Sequence, residues 1–130
     1  MKWSVKKIRK TLGGKLIGTL YMREIVCRTL LFLPSEIIEY VCTTVWFISS
    51  QDDAWAFTFR GADIKDRNLI FLSDKLLRQY QAQIQFTILH EVGHVVLQHR
   101  NSIGIGQTET EIKQQELAAD AFANNYLNAI

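Results

Sequence analysis

The sequence predicts an α+β domain in which a small sheet packs on helices. The two ends of the chain favour helix, and residues 43–72 between them are rich in β-branched and aromatic side chains. With 130 residues, of which 48% are hydrophobic and 22% charged, the chain has the size and composition of one globular domain. Disordered and fibrous classes are excluded by this composition.

The N-terminal arm, residues 1–32, is basic and amphipathic. Residues 1–28 carry eight basic residues against one acid, and apolar residues are interleaved with them. An amphipathic helix that covers the core is favoured over contact with an anionic membrane surface or nucleic acid. Gly13-Gly14 should end or hinge this helix. The main domain is then expected to comprise residues 33–130.

Neither a signal peptide nor a membrane span is expected in the N-terminal half. Charges at Arg23, Glu24 and Arg28 interrupt its apolar stretch, and no uncharged run approaches the roughly 20 residues of a membrane span. Cys27 and Cys42 lie in apolar surroundings and are expected to be buried free thiols. A cytoplasmic location is therefore expected.

A helix and three strands are predicted next. Pro34 excludes helix before it, and Ser35 is expected to cap a helix from Glu36 to about Cys42. The strand signals are alternating or continuous apolar residues bounded by turn-forming residues. These strands are predicted at residues 43–49, 55–59 and 69–72.

The C-terminal half is predicted to be helical. Ser73-Asp74 should cap a helical region with no proline or glycine before Gly93, and a loop is expected at residues 101–106. A final helix is predicted at residues 109–128.

The pattern HExxH, formed by His90, Glu91 and His94, lies within this helical region. Two histidines four residues apart differ by about 40° around a helix, so both rings point to one place, with the Glu91 carboxylate nearby. The opposite side of this helix is apolar and should face the core. Its members are Ile84, Ile88, Val92, Val95 and Val96. The motif and its position opposite the apolar side favour metal binding over the alternative that these are two surface histidines with no ligand.

A catalytic zinc takes three protein ligands, so the third must come from elsewhere. A metzincin arrangement would require histidine and glycine where this chain has Arg100 and Leu97. His99 points about 140° away from His94 and is disfavoured.

A carboxylate on the last helix is the favoured third ligand. Glu116 and Asp120 share a helix face, so if Glu116 reaches the metal, Asp120 can reach the outer nitrogen of a ligating histidine. Glu109 and Glu111 are alternatives, ranked lower because neither has an acid four residues on. Small alanine side chains would allow the last helix to approach the helix of His90 and His94 closely. They are Ala118, Ala119, Ala121 and Ala123.

The segments His90-Glu-Val-Gly-His94 and Glu116-Leu-Ala-Ala-Asp120 resemble the gluzincin metallopeptidases. The chain is most similar to the minigluzincins, and the anti-repressor peptidases of mobile elements have a similar core. The resemblance covers residues 33–128 and implies a minimal zincin-like domain. It implies that His90, His94 and Glu116 bind zinc, that Glu91 is the base, and that Asp120 supports a ligand histidine.

The resemblance further implies hydrolysis of peptide bonds by a zinc-activated water, with a peptide or unfolded protein as substrate. An edge strand, at residues 55–60 or 69–73, would pair with extended substrate. Larger gluzincins steady the oxyanion with a residue from a C-terminal subdomain, but only 14 residues follow Glu116 here. The alternative is a latent or non-catalytic, metal-stabilised regulatory or binding module, with the site covered by residues 127–130.

Overall fold

The computed structural model describes residues 2–50, 56–59, 68–98 and 108–128. Within these residues the fold is α+β, as predicted, with six helices and one four-stranded sheet. The helices are α1 (Val5–Leu12), α2 (Leu20–Leu30), α3 (Ser35–Thr44), α4 (Asp74–Leu77), α5 (Gln81–Val96) and α6 (Glu109–Leu127). The strands are β1 (Leu16–Ile17), β2 (Val45–Ser50), β3 (Ala56–Phe59) and β4 (Asn68–Ser73).

The N-terminal arm contributes two helices, α1 and α2, and the short strand β1 to the fold. The Ser4 hydroxyl accepts a hydrogen bond from the Lys7 backbone N–H and starts α1, which ends at Gly13 with a φ of +53°. A 3-10 turn then leads into β1. Ile8 and Leu12 of α1 are buried in the common core. The division of the chain at residue 32 stays a prediction, while the apolar residues on both sides of it share this core.

The start of α3 differs from the prediction. Pro34, not Ser35, is the capping residue, and it makes no side-chain cap hydrogen bond. Ser35 is the first helical residue, and its hydroxyl accepts a 3.1 Å hydrogen bond from the Trp3 indole N–H. The Ser35 hydroxyl therefore joins the N-terminal segment to α3, a long-range contact that a local capping pattern does not reveal.

The sheet has the strand order β1-β2-β4-β3. Strands β1, β2 and β4 run parallel, and β3 pairs antiparallel with β4. Residues 69–73 therefore lie in an interior strand and cannot be the substrate-pairing edge, whereas β3 is an edge strand of the described sheet. Both β3 and β4 contact α5. Of the proposed edge segment 55–60, the two end residues lie outside the described residues.

The helical region after Ser73 is divided into two helices, contrary to the prediction of a single capped region. The Ser73 hydroxyl accepts a 3.1 Å hydrogen bond from the Leu76 N–H and caps only α4. The chain then turns at residues 78–80, and α5 begins at Gln81. The break contains neither proline nor glycine. The absence of these helix-breaking residues had predicted a continuous helical region, and this prediction was wrong.

The two cysteines are free and buried, as predicted. The pKa of Cys42 is raised from 9.0 to about 11, mainly by burial and to a smaller extent by the nearby Cys27, while Lys15 opposes the rise. Burial also raises the pKa of Cys27, partly opposed by Arg9. Both thiols are therefore protonated at neutral pH.

Among the described residues, no helix has both the length and the apolar character that a membrane span requires. The cytoplasmic location stays a prediction.

Candidate metal centre

Helix α5 presents His90 and His94 on the face opposite its core contacts. Ile84, Ile88 and Val92 are fully buried, so packing fixes the rotation of the helix. The two imidazole side chains are largely shielded, at 15% and 13% exposure. Their Nε2 atoms lie 3.1 Å apart, with the rings edge to face.

Helix α6 brings Glu116 to these two nitrogens. One oxygen, Oε2, lies 2.9 Å from His90 Nε2, and the other, Oε1, lies 3.3 Å from His94 Nε2. The three ligand atoms all fall within 4.8 Å of one another. Donors about 2.0–2.1 Å from a tetrahedral zinc are separated by roughly 3.3 Å, which is close to the distances found here. The three side chains are thus close enough together to hold one metal ion.

Asp120 lies on the outer side of His90. Its Oδ1 is 2.7 Å from His90 Nδ1, and a carboxylate at this distance accepts a hydrogen bond from the ring. We therefore assign the ring proton to Nδ1. His90 Nε2 then carries a lone pair that faces a Glu116 oxygen. Two acceptors 2.9 Å apart repel each other unless a cation or a further proton lies between them.

The two helices approach each other closely at Gly93. A β-carbon at this position would lie 3.1–3.2 Å from three carbons of Phe122 on α6. Ala119 and Ala123 of α6 are also fully buried, while Ala118 is half-buried and Ala121 exposed. Two of the four alanines thus lie at the buried side of α6. Sequence reasoning missed the part played by Gly93, although a glycine between two helical histidines was the available signal.

Glu91 lies beside the histidines and is buried. Its Oε2 is 3.8 Å from His90 Nε2, and its side chain is only 8% exposed. By contrast, the side chains of Glu116 and Asp120 are about half exposed. The site is therefore closed on the Glu91 side and accessible to solvent on the α6 side.

The other candidate ligands lie apart from this centre or outside the described residues. The only group of three metal-ligand side chains within the described ranges is the one formed by His90, His94 and Glu116. Thr108 caps α6 through the Glu111 N–H, and its hydroxyl donates to the Glu111 carboxylate. Position 99, disfavoured as a ligand, lies outside the described residues.

Comparison with known proteins gives one match. The family model described as Peptidase U49 matches residues 73–129, which include α4, α5 and α6. The C-terminal part of the chain is therefore similar to a peptidase family, and this similarity supports peptidase activity on a peptide or protein substrate. No curated protein and no solved structure matches the chain. The finer assignment to gluzincins or minigluzincins stays a prediction.

Proposed function

We propose that the protein is a zinc-dependent peptidase in which His90, His94 and Glu116 bind the metal and Glu91 is the general base. The observation that carries the proposal is the convergence of one oxygen and two nitrogen ligand atoms from two helices, with a buried carboxylate beside them. The similarity of residues 73–129 to a peptidase family supports the class of reaction.

The donor set fits zinc. Two imidazoles and one carboxylate form a set that catalytic zinc sites use, and they leave a fourth position open. The hydrogen bond to Asp120 orients His90 and directs its Nε2 lone pair toward Glu116. A divalent cation between these atoms would remove the repulsion between the two acceptors.

When bound, zinc supplies a Lewis acid that polarises the scissile carbonyl and makes a water molecule more acidic. The Glu91 carboxylate accepts the proton from the attacking water and returns it to the leaving amine. Its position 3.8 Å from His90 Nε2 places it near the metal-binding atoms without making it one of the three. Asp120 holds the orientation of His90 throughout, and the exposed side of the centre admits the substrate.

A cysteine peptidase mechanism is disfavoured by the state of both thiols. Cys27 and Cys42 are fully buried in the core, and their raised pKa values keep them protonated at neutral pH. A nucleophilic cysteine requires the thiolate and access to substrate. Neither residue meets these conditions.

The decisive variant is Glu91→Gln, which keeps the shape of the side chain but cannot accept and return a proton. We expect it to retain zinc and fold while losing hydrolysis by about 10²- to 10⁴-fold, as removal of a general base typically does. Cleavage is measured on a panel of unfolded proteins and peptides, with zinc content determined by metal analysis. A variant that cleaves as fast as wild type would refute the mechanism, although the proposed metal ligands would be unaffected by this result.

The alternative function is a metal-stabilised module that is latent or does not cleave. Leu127 packs against the core, so truncation must leave it in place. Removing residues 129–130 instead tests whether the C-terminus covers the site. If intact and shortened proteins, both folded and loaded with zinc, cleave nothing on a broad panel, the module replaces the peptidase as the proposed function.

A further inference from the structure

The outer surfaces of α1 and α2 form a second surface of interest, which the candidate metal centre does not use. We name this surface the basic face. Its members are Lys2, Lys6, Arg9, Lys10, Leu20, Tyr21, Arg28 and Leu31. We propose that the basic face binds the surface of an anionic lipid bilayer, with its lysines on the headgroups and its exposed apolar side chains inserted among them.

The first observation is that the lysines of this face carry unbalanced positive charge. Lys6 and Lys10 each lie about 160° around α1 from the buried Ile8, and both are exposed. Lys2, just before the helix, is exposed as well. Within the described residues, none of these three lysines belongs to an ion pair. Their charges are available to an external anion.

The second observation is that the one acid of this region is already paired. Glu24 is the only acidic residue among residues 1–28. Its Oε1 lies 3.3 Å from an Arg9 nitrogen and 4.0 Å from an Arg28 nitrogen. The Arg9 contact also joins α1 to α2, so the exposed sides of two neighbouring helices meet at this ion pair. The joined surface therefore has a strong net positive charge.

The third observation is that this surface exposes large apolar side chains. Leu20 is 63% exposed, Tyr21 52% and Leu31 40%. With Glu24 and Arg28 they lie within about 100° of one another around α2, so they share its outer side. Side chains of this kind beside a basic patch are typical of proteins that lie on membranes, where the apolar groups enter the boundary between headgroups and acyl chains. Tyrosine is enriched at that level.

These apolar side chains favour a bilayer over nucleic acid as the partner. Binding to a phosphate backbone requires basic and hydrogen-bonding groups but gains little from exposed leucines. A lipid surface can bind both the lysines and the apolar side chains of the basic face. Its anionic headgroups attract the lysines, and its acyl chains provide an apolar environment for the leucine side chains. This proposal is independent of the proposed peptidase activity.

The test is co-sedimentation of the full chain with vesicles of phosphatidylcholine alone or with about one third phosphatidylserine. We expect binding to the phosphatidylserine vesicles, weak binding to the neutral ones, and loss of binding as salt shortens the Debye length from about 10 Å at 0.1 M to about 3 Å at 1 M. Equal binding to both vesicles, or binding to neither, would overturn the proposal.

Charge variants test the lysines. The triple variant Lys2→Gln, Lys6→Gln, Lys10→Gln should bind on the order of a hundredfold more weakly, because each basic residue near an anionic surface contributes about fivefold. The matched control removes three exposed basic residues elsewhere, by Lys75→Gln, Arg78→Gln and Lys113→Gln. Equal weakening in the control would show that net charge alone is responsible and would overturn the assignment of the face.

A variant that removes an exposed apolar side chain distinguishes a lipid partner from a nucleic acid partner. Leu20→Ser should weaken vesicle binding roughly tenfold, since over half of the leucine is available for insertion. Leu117→Ser, with a similarly exposed leucine on α6, is the control and should leave binding unchanged. Circular dichroism checks the fold of each variant. If duplex DNA or RNA binds more tightly than vesicles and Leu20→Ser has no effect, nucleic acid replaces the bilayer as partner.

Discussion

Replacing Glu116 with glutamine is the strongest test of the metal centre. The carboxylate has one oxygen 2.9 Å from His90 Nε2 and the other 3.3 Å from His94 Nε2. The glutamine amide removes the negative charge, and its N–H groups can donate to the histidine lone pairs that would otherwise face the metal. The substitution therefore weakens the loaded state and also stabilises the metal-free state.

The size of the effect follows from the number of ligands. Apparent binding free energies of structural zinc with four ligands are about 10–16 kcal/mol, which corresponds to about 2.5–4 kcal/mol per ligand. Loss of Glu116 should accordingly weaken zinc binding roughly a hundred- to thousandfold.

The assay is competition between the protein and a chromophoric zinc chelator at fixed pH and ionic strength. Glu109→Gln is the matched control, because it makes the same charge change on the exposed first turn of α6. We expect the control to bind zinc as wild type does. If Glu116→Gln keeps wild-type affinity, Glu116 is not a ligand, and the third donor must be sought elsewhere in the chain.

Three further predictions concern single positions. Asp120→Asn should weaken zinc binding about ten- to a hundredfold in the same competition assay, because the amide cannot hold His90 as the carboxylate does; unchanged affinity would reduce Asp120 to a surface residue. Gly93→Ala should lower the free energy of unfolding by up to about 2 kcal/mol in urea titrations, since contact with Phe122 outweighs the gain in helix propensity; a more stable variant would show that α6 moves aside freely. Because burial raises the pKa of Cys42 to about 11, the unfolded state loses the thiol proton first, and stability should fall between pH 9 and pH 11; Cys42→Ala should lessen this fall, and an identical pH dependence would contradict the assignment.

Periodicity was sufficient to predict the relation of His90 to His94. Residues four apart on a helix share a face whatever the helix packs against, and the buried side of α5 has the apolar residues Ile84, Ile88 and Val92 that the pattern placed there. The same reasoning predicted that Glu116 and Asp120 share a face of α6. The α+β class followed from the distribution of helix and strand signals along the chain.

Local signals were less informative where long-range contacts compete with them. Ser35 carries a capping signal, yet its hydroxyl is bonded to the Trp3 indole, 32 residues away. The break between α4 and α5 contains no helix breaker, so neither proline nor glycine predicted it.

The sequence by itself determined which side chains share a helix face, because the helical repeat fixes the angle between residues three or four apart. Only the tertiary structure decided that the two faces meet. His90 and Glu116 are joined by a segment whose length sets no distance between them, and the 2.9 Å approach depends on the missing side chain of Gly93 and on the buried Ala119 and Ala123. Close packing acts between elements, so its outcome depends on side chains of both helices at once and cannot be read from either segment alone.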